Sequence, residues 1–83
     1  MLPADKNSIE AAYCFIHQKR RVYIHSTLDW QRDDIEYAIA DYADAMDRGL
    51  YRHLAAGRAD FLKDHTTFAD DLQSAEENLE KML

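Results

Sequence analysis

From Leu54 to Met82 the chain steps alternately by four and three residues through Leu54, Arg58, Phe61, His65, Phe68, Leu72, Ala75, Leu79 and Met82. A stripe repeating about every 3.5 residues keeps to one side of a helix, and a helix with an apolar side must bury it against other helices. The seam therefore predicts an all-α fold and sets its longest element. It carries no chemistry of its own.

At 83 residues the chain is one domain, and a fold of this size buries only about 60–65% of the surface its unfolded form exposes. Chains so short rely on well-packed helices, a metal, disulfides or a second copy of themselves. Cys14 is the sole cysteine, which excludes an intrachain disulfide and fits a reducing, cytoplasmic setting. The sequence does not open with the basic flank and apolar stretch of a signal peptide, and its purely apolar runs are too short for a membrane span. Two glycines, a single proline at Pro3 and an apolar fraction of 47% favour packed structure over disorder.

Asn7 or Ser8 is placed to cap a first helix over about 8–24. Its stripe is Ile9, Tyr13, Ile16, Arg20 and Tyr23, flanked by Ala12 and Ile24, while Phe15 and Val22 mark a second apolar face. Residues 22–27 are rich in β-branched and aromatic side chains and compete as extended chain, but helix is the expectation. Ser26, Thr27 and Asp29 are alternative caps for a second helix over 29–48, with Ile35, Ile39, Tyr42 and Met46 as its seam. Gly49 stands where a left-handed C-cap belongs, and Leu50 is placed to fold back onto the last turn. A third helix then spans 50–82 in phase with the long seam. Its weak points are Gly57 and Thr66-Thr67, where Thr67 with Asp70 has the form of a cap that restarts a helix.

Short connections between amphipathic helices predict a single domain, 1–83, folded as a small antiparallel bundle of three helices, or four if the last is broken. An unbroken third helix would reach about 50 Å, against about 30 Å for the second. Its overhang would expose Phe68, Leu72 and Leu79, which predicts a coiled-coil homodimer paired through this seam, with Phe61 and His65 among the contact residues.

Arg20, Arg58 and His65 occupy seam positions where apolar residues would pack better. One reading sets them at bundle edges, stems on apolar surface and charged heads in water. The other pairs them with one of the many Asp residues in buried or interfacial positions, which fixes register at some cost in stability. Asp64 beside His65 is placed to shift the imidazole's protonation into the physiological range, as at a pH-sensitive interface; the ordinary alternative is a half-buried, satisfied histidine.

Metal and catalytic chemistry find little support. His17, His25, His53 and His65 are scattered, and only Cys14 with His17 share a local helix face, whereas a structural zinc site uses four ligands. Ser8, Ser26 and Ser74 lack a nucleophile context, and no glycine-rich loop is present to cradle phosphate. Neither a cofactor nor an enzymatic activity is expected.

Charge is uneven. Residues 1–25 sum to +2 and residues 26–83 to −8, for −6 overall, which disfavours direct binding to nucleic acid or anionic membrane. Asp33, Asp34, Glu36, Asp41, Asp44 and Asp47 fall within about 160° of arc on the second helix, opposite its seam, with Tyr37 among them. Such a face is ordinarily a solvated surface. Its carboxylate ladder, with Asp33, Asp34, Asp41 and Asp44 as key members, also has the form of a nucleic-acid mimic that occupies a basic DNA-binding protein. Lys19-Arg20-Arg21 is too small a cluster to hold nucleic acid and is expected to meet the acids of the second helix or of a partner subunit. The leading expectation is a non-enzymatic protein-interaction or small regulatory module, with the acidic mimic as the alternative.

Overall fold

In the computed structural model, which describes residues 2–83, Asp5 rather than Asn7 or Ser8 opens the first helix: its carboxylate accepts the Ser8 amide at 2.7 Å. That bond satisfies one of the free amides of the opening turn and holds the Asp5 carboxyl below the usual carboxylate range. Helix α1 runs Lys6–His25, and the backbone becomes extended at Ser26. The residues 22–25 are thus helical, and only the connection beyond them is extended. Ile9, Ala12, Ile16 and Tyr23 form the buried stripe.

Helix α2 covers Asp29–Ala45 and ends earlier than its pattern suggests. Met46 is extended, and Asp47 captures the Leu50 amide at 2.9 Å to start helix α3, Arg48–Ala55. Arg48 locks the corner by reaching back to the carbonyl oxygens of Ala43 and Met46. Gly49 is consequently inside α3 and not a left-handed C-cap. A β-carbon there would lie 2.9 Å from the Pro3 carbonyl oxygen, so close approach of the N-terminal segment accounts for the glycine.

The continuous C-terminal helix does not form. Ala56 and Gly57 adopt left-handed backbone with φ of 52° and 89°, and Leu62 does so with φ of 63°. Each such non-glycine residue costs roughly 1–2 kcal/mol, so the fold must recover more than that from what the turn brings together. Phe61 and Leu62 enter the core, and Tyr51 Oη donates to the Phe61 carbonyl at 2.8 Å. Asp64 then caps a 3-10 turn, His65–Thr67, by accepting from the amide and hydroxyl of Thr66. Helix α4 follows over Phe68–Lys81. Thr67 stands at its N-cap position without making the side-chain cap bond expected of it.

The described residues therefore form four α-helices and one 3-10 turn with no strand among them, and the seam is broken at both of its weak points. α1 is central. Phe15 stacks on Tyr42 at 4.3 Å and Tyr23 Oη donates to Glu36, so α1 and α2 run antiparallel. Tyr23 meets Phe68 near one end of α4 and His17 meets Glu76 further along it, so α4 also runs antiparallel to α1. The longest extent of the molecule is 40 Å, too short for the expected rod and its overhang. Phe61, Phe68, Leu72 and Leu79 are almost wholly buried within one chain, as are Leu54 and Ala75. The seam closes internally, so it supplies no coiled-coil face.

Candidate functional site

The seam's polar interruptions resolve into three side-chain clusters. At the first, the carboxylate of Asp71, only 2% exposed, accepts from Arg58 Nη1 at 2.6 Å, from the buried Leu62 amide at 3.0 Å and from the Thr67 hydroxyl at 3.2 Å. Arg58 also lies over the Phe61 ring, and Asp71 raises its already high pKa by hydrogen bonding and charge. At the second, buried Glu76 accepts from His17 Nδ1 at 2.6 Å and from Arg20 at 3.1 Å, tying α4 to α1. Two of the three interruptions are thus paired with buried carboxylates, Arg58 with an aspartate as one of the two readings expected and Arg20 with a glutamate instead. Both clusters act as structural ties.

Glu36 organises the third. It accepts from Tyr23 Oη at 3.1 Å and from His65 Nδ1 at 2.9 Å, joining α1, α2 and the turn before α4. Glu36, not the adjacent Asp64, raises the His65 pKa, by its hydrogen bond and then its charge. Burial, followed by the charge of Glu36, raises that of Tyr23. Asp33 stands close enough that its carboxylate, that of Glu36 and the His65 ring offer ligand atoms within 4.8 Å of one another. Lys63 lines the same hollow, its ammonium paired with Asp44.

A different character marks the open side of the α1–α2 pair. Ser26 Oγ donates to Gln31, Arg32 donates to the Ser26 carbonyl, and the Arg32 guanidinium covers Tyr23 at 4.9 Å. These bonds fix the connection between the helices. Beside it runs a groove of about 710 Å³, walled on α1 by Gln18, Arg21, Val22 and His25 and on α2 by Trp30, Gln31, Asp34 and Ile35. Trp30 is 62% exposed, and Val22, Ile24 and Leu28 at the same end of the helix pair are each about half exposed. Arg21 and Asp34 have no ion-pair partner among the described residues.

The residues expected to make contacts are divided by the fold. Phe61, Phe68, Leu72 and Leu79 come together in the core, out of reach of a partner. His65 is exposed but held by Glu36. On the acidic face, Glu36 is tied as described, Asp44 pairs with Lys63 and Asp47 caps α3. Asp33, Asp34 and Asp41 remain exposed, with Tyr37 alongside. Of the basic cluster, Lys19 lies over Phe15 and Arg20 meets α4 instead of α2, while Arg21 faces the groove. Cys14 is exposed, and its neighbour His17 stacks on Tyr13 and bonds to Glu76. Trp30 is what sequence reasoning missed. The signal was the second apolar face at Phe15 and Val22: Tyr42 covers Phe15, whereas Val22 is left open.

Comparison with protein-family models, with curated proteins and with solved structures found no match.

Proposed function

We propose that the chain is a non-enzymatic protein-interaction module whose contact surface is the groove between α1 and α2. The observation that carries this reading is Trp30, a large aromatic side chain held in water beside Val22 by a fixed connection. Covering such side chains is worth about 25 cal/mol per Å² of apolar surface, and tryptophan and arginine are the residues that most often anchor protein contacts. Arg21 supplies the second of these at the same groove. The lone exposed thiol of Cys14 fits a reducing compartment, and the cytoplasm remains our placement.

A photo-crosslinking side chain placed at position 30 tests the reading in the native host, with Gln73 on the exposed side of α4 as the control. Protein adducts from position 30 and few from position 73 are expected. Equal yields, or none at position 30, would remove the groove from consideration.

The second reading, an acidic mimic of nucleic acid, draws on the exposed trio Asp33, Asp34 and Asp41. It is weaker, because Glu36, Asp44 and Asp47 are committed within the chain. It requires salt-sensitive binding to a basic DNA-binding protein that disappears when the three aspartates become asparagine.

A further inference from the structure

The two walls of the groove carry opposite charge. Arg21 is the charged residue on the α1 wall and Asp34 its counterpart on the α2 wall, with His25 the other titratable side chain there. Because α1 and α2 are antiparallel, with Tyr23 against Glu36 and Phe15 against Tyr42, Arg21 and Asp34 lie within about one helical turn of the same level. Each is exposed and lacks an ion-pair partner among the described residues. A foreign helix would have to bring both signs in the correct order. A second copy brings them by symmetry.

We infer that the groove's occupant is a second copy of this chain, related by a two-fold axis running along the groove. This rests on the groove being a protein-docking surface. Such an axis turns the α1 wall of each copy over the α2 wall of the other at the same level, so Arg21 of each faces Asp34 of the partner subunit and the contact is made twice. A two-fold interface must be self-complementary, and a groove with one cationic and one anionic wall meets that condition about an axis parallel to its helices. The alternative two-fold, perpendicular to the helices, would set α1 on α1 and leave both charge pairs unmade. The same operation directs Trp30 toward the α1 wall of the other copy, where its indole is withdrawn from water. The −6 charge on each chain opposes association at long range, so the two local pairs also decide orientation.

Sedimentation equilibrium of the full chain, from micromolar to millimolar concentration, tests this with Arg21→Glu, Asp34→Arg and the double variant. The wild type is expected to dimerise, each single reversal to weaken the dimer by at least about tenfold, and the double reversal to restore it to within about threefold, since coupled charges at an interface show this pattern. Melting curves at a concentration where all four proteins are monomeric are expected to coincide, which separates lost association from lost folding. A wild type that stays monomeric at millimolar concentration overturns the proposal, as does a dimer indifferent to the single reversals, or a double variant no better than either single. Monomeric protein that still yields foreign adducts from position 30 in the host would overturn the second copy alone and leave the docking groove in place.

Discussion

The Arg58–Asp71 corner and the α1–α2 groove are made of the same parts, an arginine, an aspartate and an aromatic ring, in opposite states. At the corner the ion pair is closed, the aspartate is buried and Phe61 is covered. At the groove Arg21 and Asp34 are apart, and Trp30 stands in water. The corner shows what the chain does with such residues when it uses them for its own stability. The open groove, built from the same set, leaves these residues without a partner among the described residues, which is what supports the proposed docking role.

Substitutions should separate the two regions sharply. Phe68→Ala, in the internally closed seam, is expected to cost about 3–5 kcal/mol in urea unfolding. A cost below about 1 kcal/mol would mean that the seam is not the core. Asp71→Ala leaves the Leu62 amide without its acceptor and Arg58 without its main counter-ion, for a loss of about 3 kcal/mol. Gly49→Ala sets a methyl group 2.9 Å from the Pro3 carbonyl oxygen, a backbone atom, and should cost about 1–3 kcal/mol. A neutral result there would show that the N-terminal segment moves aside freely. Trp30→Ala sits at the other extreme: monomer stability is expected to change by no more than about 0.5 kcal/mol, while self-association is lost.

The smallest effect belongs to pH. Glu36 raises the His65 pKa above the ordinary 6.5, so the protonated ring is favoured in the folded chain. The stabilisation this contact supplies is complete below the unfolded value and disappears as pH rises through the raised folded value. An NMR titration of His65 in the wild type and in Glu36→Gln checks the cause. The midpoint should fall in the variant, and an unchanged midpoint would assign the shift elsewhere.

The helical class, the positions of α1 and α2 to within a few residues, and the weak points at Gly57 and Thr66-Thr67 were legible in the sequence, because periodicity and helix propensity are local; the side-chain caps expected at Asn7 or Ser8, at Ser26, Thr27 or Asp29 and at Thr67 did not form. The failure at the seam has a physical cause. Phe61 continues the spacing between Leu54 and Phe68 whether the chain is helical or folded back, since all three enter one core. Nothing in an alanine announces left-handed backbone at Ala56; packing of Phe61 and Leu62 imposes it. Gly49 was read as the punctuation and Asp47 only as part of the acidic face, whereas Asp47 caps α3. Arg48 binding back on α2 and Pro3 close to the glycine accompany that turn. Reading charge at seam positions left edge exposure and pairing open, because Asp71, Glu76 and Glu36 reach Arg58, Arg20 and His65 only through tertiary structure. Trp30 escaped because it is flanked by Asp29, Asp33 and Asp34 and reads as polar surface. Only the geometry of the groove shows the ring standing in the open.

Trp30 is the only tryptophan, so its fluorescence reports directly on whether the groove is open and what closes it. In dilute solution the emission should have the long wavelength of an indole in water, shift to shorter wavelength as the concentration of the wild type rises, and remain unshifted in Arg21→Glu. A spectrum independent of concentration, or one already at short wavelength in the dilute variant, would contradict the account.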